Sequence, residues 1–282
     1  MMRSRKHMVL CVRNPKKDIV TNVEQLNPLA DKYKILGVPF IRGVVNMLES
    51  MYLGMKGIMF SGEVALAETE TTEAKSDQKT QKFSTIQLAI VIAGVIGAIA
   101  FFLLVPFFLA SWLGLTGIAF NAVEASIRLA LFLAYLGIIA SWSEYSRILK
   151  YHGAEHKAIN AYEAGAPMDV EHVKKYSRLH PRCGTSFLFI VLIISIVLFT
   201  LMPNYGYVAR IAYRIALIPV IAGISYELLR LSGKYRHNIV SRVLTAPGMG
   251  FQLLTTKEPS DDMLEVSINA VQEVAKLSTP LI

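Results

Sequence analysis

The sequence is poor in cysteine and lacks both a cleavable leader and a stripe suited to nucleic acid. Its two cysteines, Cys11 and Cys183, argue against a disulfide framework. The first residues carry positive charge but no apolar core of signal-peptide length, so targeting has to come from internal segments. The net charge of +8 is spread through the polar segments without interleaved aromatic residues. This distribution favours anionic lipid headgroups over nucleic acid as the counter-charge.

Apolar residues are what the sequence has in abundance. They make up 53% of its 282 residues and give a mean hydropathy of +0.43, which is too high for an ordinary soluble domain. Four apolar runs suit membrane-spanning helices, and short connections join them in two pairs. The runs are residues 86–112, 118–142, 187–201 and 207–229. The sequence therefore predicts a mainly α polytopic membrane protein with four transmembrane helices in two hairpins.

The segments outside the spans predict a small cap and an interfacial helix. Strand-like runs at 8–12 and 19–23 flank turn-prone residues, which indicates a β-hairpin. Arg42, Glu49 and Lys56 recur seven residues apart, as on an amphipathic helix at a membrane surface. The predicted order is a cytosolic β-hairpin cap at 1–37, an interfacial amphipathic helix at 38–62, a flexible linker at 63–85, a first transmembrane hairpin at 86–142, a cytosolic loop at 143–186, a second transmembrane hairpin at 187–230, and a cytosolic tail at 231–282.

The tail has two features of its own. Residues 247–250 have the composition of a turn. Residues 261–276 predict an amphipathic helix that begins with acidic residues, which suit a helix start. We expect this helix to pack on the N-terminal cap.

Residues 151–165 carry the strongest signal for chemistry. On a helix, His152 and His156 project from the same face, at the spacing that two imidazoles need to reach one metal ion. With Glu155 they form His-x-x-Glu-His, the inverted form of the zinc-hydrolase motif, in which the glutamate deprotonates the metal's water. The alternative is a polar cytosolic helix whose histidines are solvated, and a structural role stays open.

Two histidines leave such a site incomplete, because a catalytic zinc normally has three protein ligands and one open position. Glu163 is two turns, about 11 Å, beyond His156, which is far for direct ligation. Glu227 is the better candidate, because an acidic group at the cytosolic end of the fourth span costs free energy unless it is paired or ligated. Its alternative role is a salt bridge with Arg230 or Arg147.

A second polar cluster, residues 180–186, precedes the third span. His180 and Cys183 have metal-ligand spacing, and a proline and a glycine between and after them suit a bent loop. Arg182 would lower the pKa of the thiol, so a nucleophilic pair of Cys183 with a histidine of the first motif also stays open. The cluster is therefore a structural loop, a set of metal ligands or a nucleophile.

Four charged residues fall within the predicted spans at similar depth. Buried intramembrane charges usually pair with one another or mark a pathway. No further chain of ionisable groups continues through the membrane, so we favour an ion-paired lock between the hairpins over a transport path. The residues are Glu124 and Arg128 in the second span and Arg210 and Arg214 near the start of the fourth.

Four motifs carry a family resemblance. They are YHGAEHKAINAYEAG, HPRCGTSF, YELLRLSGK and APGMGFQLLTTKEPSDDMLE, in this order. Together they closely resemble the YqhQ-like family of bacterial polytopic membrane proteins, uncharacterised predicted metal-dependent enzymes, over nearly the whole chain. The resemblance picks out His152, Glu155, His156, Glu163, His180, Arg182, Cys183 and Glu227. Family members usually begin with a glycine-rich stretch that ends in Met-Met-Arg, whereas this sequence starts at those three residues, 1–3. If the preceding stretch completes the site, this chain is expected to be inactive.

The motifs and the resemblance together predict a zinc-dependent hydrolase, with another divalent metal as a variant. Zinc would bind His152, His156 and Glu227, and Glu155 would act as the base. Basic residues crowd both termini and the loop at 143–186, which predicts that all three are cytosolic in a bacterial inner membrane. The expected partners are the lipid bilayer and a membrane-derived peptide or lipid substrate, without nucleic acid, and a homo-oligomer is compatible with the sequence.

The alternative function belongs to another class of protein. A non-catalytic membrane scaffold or regulator would use a structural or sensory metal. A closed site of four ligands, His152, His156, His180 and Cys183, would favour it, because structural zinc has no open position.

Overall fold

The computed structural model describes residues 1–66, 85–202, 206–235 and 238–277 as a small antiparallel sheet followed by helices. The strands are β1 (Met2–Arg3), β2 (His7–Arg13) and β3 (Ile19–Gln25), in the order β1-β2-β3. β2 and β3 pair along their whole length, so the predicted hairpin is confirmed, with longer strands. The sequence does not predict β1, because two residues are too few to show an alternating pattern.

The turn between β2 and β3 follows from one side chain. The Asp18 backbone N–H donates to Oδ1 of Asn14 at 2.8 Å, and the Asn14 N–H donates to the Asp18 carbonyl at 2.9 Å. Asparagine favours such turns because its side chain can replace a backbone partner. Lys17 completes the turn with a positive φ of 74°.

The helices account for most of the described residues. In chain order they are α1 (Leu29–Lys32), α2 (Ile41–Leu66), α3 (Thr85–Trp112), α4 (Gly117–Ser141), α5 (Ser143–Glu163), α6 (Val170–Val173), α7 (Gly184–Thr200), α8 (Tyr207–Lys234), α9 (Ile239–Thr255) and α10 (Asp261–Leu277). A 3-10 turn, Lys34–Gly37, separates α1 from α2. The predicted amphipathic helix at 38–62 thus forms, although it begins three residues later and runs to Leu66.

Among the described residues, three helices are long and apolar enough to cross a membrane. They are Ala89–Trp112 within α3, Gly117–Ser141 and Tyr207–Lys234. α7 is uncharged and mostly apolar but has only 17 residues, roughly 25 Å of helix against a hydrocarbon core of about 30 Å. The described residues therefore contain three candidate spans where the sequence predicts four.

Two local predictions differ from the structure. The turn predicted at 247–250 is wrong, because α9 continues through Pro247 to Thr255. A Cβ on Gly248 would lie 3.1 Å from Oγ of Ser186, so the Pro-Gly pair permits close packing of α9 on α7 instead of ending the helix. The first residues of the predicted linker at 63–85 belong to α2, and residues 67–84 lie outside the described residues.

The chain divides into two compact units. The first, Met1–Thr71 with Ile139–Val191 and Ala222–Ile282, contains the sheet, α2, α5, α9 and α10. Its core lies where α10 packs on β2 and α5, as predicted for the tail helix. Alanines on α5 at 154, 158 and 161 let α10 approach closely, and Val9, Leu264 and Val271 fill the space between the elements.

The second unit is Thr72–Ile138 with Leu192–Ile221. Phe107 of α3 and Phe120 of α4 meet edge to face at 5.6 Å and are fully buried, with Ala110 beside them. This apolar packing surrounds the intramembrane charges described below.

Candidate metal site

The two histidines of the first motif project from one face of α5. Their ring centroids are 4.4 Å apart. Nδ1 of His152 lies 2.8 Å from the Thr255 carbonyl oxygen, and Nδ1 of His156 lies 2.6 Å from the Arg178 carbonyl oxygen. A carbonyl only accepts, so Nδ1 is the donor in both rings. In the neutral form each ring therefore keeps a free lone pair on Nε2, the atom that faces the site.

Gly153 explains how the Thr255 carbonyl reaches His152. A Cβ at position 153 would lie 2.1 Å from the carbonyl oxygen of Lys257, so a side chain there is excluded. The segment after α9 lies directly on α5 at this point, and the Lys257 N–H donates to the Leu149 carbonyl at 2.9 Å. The glycine between the two motif residues is thus a requirement of close backbone packing.

Cys183 is the third member of the site. It lies at the start of α7, is buried, and has its Sγ 3.2 Å from Nε2 of His152. The Thr185 hydroxyl is 3.0 Å from the same sulfur. Among the described residues, one group of three donors has ligand atoms within 4.8 Å of one another, and its members are His152, His156 and Cys183.

The electrostatics of this group favour a thiolate. Burial acts to raise the pKa of Cys183, but hydrogen bonds from His152 and His156 outweigh burial and lower the pKa to about 5. Burial acts to lower the pKa of His152, but its hydrogen bond with Cys183, and the charges of Cys183 and Glu155, raise the pKa to about 9. At Cys11, by contrast, burial raises the pKa of the thiol. Without a metal, Cys183 and His152 are therefore a thiolate and an imidazolium at neutral pH.

The donor set fits a divalent metal. One thiolate and two imidazoles are ligands that zinc accepts, and three protein ligands leave a fourth position open. Both imidazoles donate their other N–H to a backbone carbonyl, which is the usual way in which a protein fixes the orientation of a metal-binding histidine.

His180 lies beside this group but faces elsewhere. Its ring centroid is 5.9 Å from that of His156. Its Nδ1 accepts the Arg182 N–H at 3.4 Å, and its Nε2 is 3.7 Å from a carboxylate oxygen of Glu163. Glu163 also accepts a hydrogen bond from the Arg182 side chain. The additional residues predicted around the site, Glu163, His180 and Arg182, thus form a neighbouring polar network.

Glu155 lies near His152, one of the three donors. It is half-buried, accepts from the backbone amine of Met1, and contributes its charge to the raised pKa of His152. Its place in the sequence, three residues after His152, sets it at the edge of the face that carries the two imidazoles.

Glu227, predicted as the third metal ligand, is paired with an arginine instead. The Arg42 guanidinium donates two hydrogen bonds to its carboxylate, at 2.5 and 2.7 Å, and the Phe40 N–H adds a third at 3.4 Å. Glu227 is not a member of the three-donor group. The predicted salt bridge exists, but with Arg42 of α2 in place of Arg230 or Arg147. A carboxylate held by a bidentate arginine has little left to offer a metal, so this pairing disfavours the predicted ligand role of Glu227.

The intramembrane charges pair within the second unit. The Glu124 carboxylate accepts hydrogen bonds from the guanidinium groups of both Arg128 and Arg214. One of the two bonds from Arg214 measures 2.5 Å. All three are almost fully buried. The guanidinium of Arg214 also lies 4.8 Å from the Phe107 ring, and that of Arg210 lies 4.9 Å from the Phe120 ring. One carboxylate on α4 therefore joins two arginines, one on α4 and one on α8.

Sequence reasoning missed the groups that hold the site together. Two of them are backbone carbonyls, at Thr255 and Arg178, which carry no signal in residue type. The third is Gln252, fully buried on α9. Its side-chain amide donates to the His180 carbonyl at 2.7 Å and to the Ser186 hydroxyl at 2.9 Å, and accepts the His180 N–H at 2.8 Å. A buried glutamine in an apolar helix is the one signal that was available.

The chain belongs to the YqhQ family, and the resemblance predicted from the motifs is confirmed. A family described as a protein of unknown function, DUF1385, matches residues 38–277. The uncharacterised protein YqhQ of Bacillus subtilis (strain 168) is 38% identical over 255 residues, which cover 85% of this chain and 78% of that protein. No solved structure matches this chain.

Proposed function

We propose that this protein is a zinc-dependent hydrolase at the cytosolic face of a bacterial inner membrane, with a membrane-derived peptide or lipid as its substrate. One observation carries the proposal: two imidazole nitrogens and the Cys183 sulfur converge within 4.8 Å of one another. Three protein ligands are the number that leaves a catalytic zinc one position for water. Cys183 takes the ligand role for which Glu227 was predicted. Another divalent metal fits the same donors less well, because a thiolate is a soft ligand.

Each residue has a defined part in this proposal. Zinc, when bound, supplies Lewis acidity and lowers the pKa of water toward neutrality. Glu155 borders the donors and takes a proton as general base. The Thr255 and Arg178 carbonyls hold the rings of His152 and His156 so that each presents Nε2.

The proposed topology has four crossings, with α7 as a short fourth span. α3, α4 and α8 have the required length and hydropathy. α7 joins them because its 17 residues carry no charge and are mostly apolar, and a short crossing is met by local thinning of the bilayer. Basic residues at both termini and in residues 143–186 then orient these segments toward the cytosol.

The first test is the metal content of detergent-purified protein, measured by mass spectrometry. We expect near-stoichiometric zinc in the wild type and its loss from His152→Ala, His156→Ala and Cys183→Ala. His172→Ala is the matched control. The His172 side chain is exposed on α6 and, among the described residues, its ring bonds only to Asp169. A well-folded wild type that holds no metal after zinc is added back would overturn the proposal.

A second candidate function is supported by the burial of the donors. His156 and Cys183 are 5% and 8% exposed, as in a structural or sensory metal site of a membrane scaffold or regulator. Glu155→Gln separates the two candidates, because it leaves the three donors in place. A catalytic site requires that this variant bind metal but fail to complement a host that lacks its own family member, whereas full complementation favours the scaffold.

A further inference from the structure

Over residues 245–255, helix α9 exposes apolar side chains and buries polar ones. The polar residues Thr245, Gln252 and Thr255 are 5%, 0% and 8% exposed, while Leu253 and Leu254 are 54% and 37% exposed. Among the α9 side chains that the structure describes, at 239 and 245–255, the exposed residues form one stripe, named here the α9 stripe: Ile239, Ala246, Pro247, Gly250, Leu253 and Leu254. At 3.6 residues per turn these positions cover roughly 120° of the helix circumference, opposite the buried polar residues. A helix on a water-exposed surface has the reverse arrangement.

Helix α10, in the same unit, shows that ordinary arrangement. It buries Leu264, Ile268, Val271 and Val274 in the core. Its exposed residues are Asp261, Asp262, Glu265, Gln272, Lys276 and Leu277, five of the six polar. Two helices of equal length in one compact unit therefore face different surroundings, and α10 faces water.

The orientation of α9 is fixed by specific contacts. Gln252 makes two hydrogen bonds to His180 in the loop before α7 and one to Ser186 in the first turn of α7. Gly248 lies close against Ser186, where a Cβ would come within 3.1 Å of its side chain. The ring of Phe251 is 4.6 Å from that of Phe189. Rotating α9 to bury the stripe would leave the Gln252 amide buried without partners, at about 1–3 kcal/mol for each unmet group. This cost offsets the gain from burying two leucines that are already about half-buried.

The end of α9 lies beside the end of a membrane-length helix. The Lys257 ammonium, two residues after α9, donates to the Ala140 carbonyl in the last turn of α4 at 2.7 Å. α4 is followed by Trp142 and Tyr145, both exposed and with ring centroids 5.8 Å apart. Tryptophan and tyrosine concentrate where a helix leaves the hydrocarbon core. The C-terminal end of α9 is therefore at the level of the membrane surface.

We propose that α9 lies in the plane of the membrane surface, with the α9 stripe embedded among lipid acyl chains. Lipid matches the stripe because it accepts apolar side chains and demands that polar ones be satisfied within the protein, as Gln252 is. The stripe ends at Leu254, next to the carbonyl that holds His152. Because the Thr255 carbonyl holds His152, the three-donor group then lies near the membrane surface, and this placement stands whether or not the group is catalytic.

Single-tryptophan fluorescence in lipid vesicles tests the proposal. Trp112 and Trp142 are replaced by phenylalanine, and one tryptophan is introduced at Leu253 or, separately, at Leu254. Two stripe positions are used so that, if one variant misfolds, the other still tests the proposal. Gln272→Trp on α10 is the matched control. Each full-length variant is reconstituted in phosphatidylcholine vesicles with and without bromine on the acyl chains.

We expect blue-shifted emission and strong loss of intensity in brominated vesicles for both stripe variants, with red-shifted, unquenched emission for Gln272→Trp. Blue-shifted emission that bromine leaves intact would mean that a protein surface, such as a second copy of this chain, covers the stripe, and would overturn the proposal. Red-shifted, unquenched emission at Leu253 and Leu254 would mean that the stripe faces water, and would overturn it as well. Neither result depends on the metal content.

Discussion

The sulfur of Cys183 lies 3.2 Å from Nε2 of His152, although 31 positions separate the two residues in the chain. This contact joins the motif at 151–165 to the one at 180–186. It also explains why Cys183, with two histidines as hydrogen-bond partners, has a low pKa despite its burial. A bound metal would occupy the same atoms, so the reactivity of the thiol reports on the state of the site.

The first prediction concerns alkylation of the metal-free protein. In a Cys11→Ser background, the rate at Cys183 should stay nearly constant through the neutral range and fall only as the pH drops through about 5. The sign follows from the lowered pKa, because the thiolate is the nucleophile and protonation removes it. Iodoacetamide labelling followed by mass spectrometry measures the rate, and added zinc should suppress it.

Cys11 provides the matched comparison. In a Cys183→Ser background, the remaining thiol has its pKa raised by burial. Its alkylation should slow by about tenfold for each pH unit below neutrality, as for any thiol far below its pKa. Parallel pH profiles for the two cysteines would contradict the assigned thiolate–imidazolium pair.

Gly153→Ala should damage the site, although alanine is the better helix former. Exchanging a helical glycine for alanine usually stabilises by roughly 0.5–1 kcal/mol. Here the new Cβ would lie 2.1 Å from the Lys257 carbonyl, and the displaced backbone is the segment that orients His152. We expect a net destabilisation of about 1–3 kcal/mol, seen as a lower Tm in detergent, together with weakened zinc binding. Gly54→Ala on α2 is the control, because its Cβ meets open space, and an equal rise in Tm for both variants would refute the close contact.

Helical periodicity was enough to pair His152 with His156, because residues four apart on α5 share a face. It could not supply Cys183 as their partner, since that contact depends on how α7 begins relative to α5. The two carbonyls that hold the rings belong to the backbone and leave no mark on the sequence. Residue type thus offered Cys183 among several alternatives, but it favoured Glu227 as the third ligand and indicated none of the groups that support the site.

The structure departs from the expectations at Glu227 and Pro247 for one reason. In each case a local preference was correct, but a distant contact decided the outcome. A carboxylate at a helix end does need a partner, and Arg42, 185 positions away, provides it. A Pro-Gly pair does favour a turn, yet the packing of Gly248 on Ser186 keeps α9 helical.

The pairing of Glu227 gives a prediction that separates its two assigned roles. Glu227→Gln should leave the zinc content unchanged, because the carboxylate belongs to Arg42 and not to the three-donor group. It should lower the free energy of unfolding by roughly 1–3 kcal/mol, between the values for exposed and fully buried pairs. The double variant Arg42→Gln/Glu227→Gln should recover part of this loss, since no charge is left unpaired. Loss of zinc from Glu227→Gln would restore the ligand role.

Glu124→Gln should be more damaging, because one carboxylate neutralises two arginines. Removing its charge leaves Arg128 and Arg214 as neighbouring buried cations among apolar side chains. Breaking such a buried pair costs about 3–5 kcal/mol, which we expect as a large drop in Tm of the detergent-solubilised protein. Ser126→Ala is the control on the same helix, because its exposed hydroxyl bonds only to the Ala122 carbonyl of its own turn.

The loss of stability in Glu124→Gln should come from the lost negative charge and not from a change in side-chain shape. If the lock between α4 and α8 works by neutralisation, Glu124→Gln/Arg214→Leu should be more stable than Glu124→Gln alone, since one of the two stranded cations is removed. Equal stability of the single and double variants would assign the loss to packing around Phe107 instead. Zinc content should be the same in all of these variants, because the three donors belong to the other compact unit.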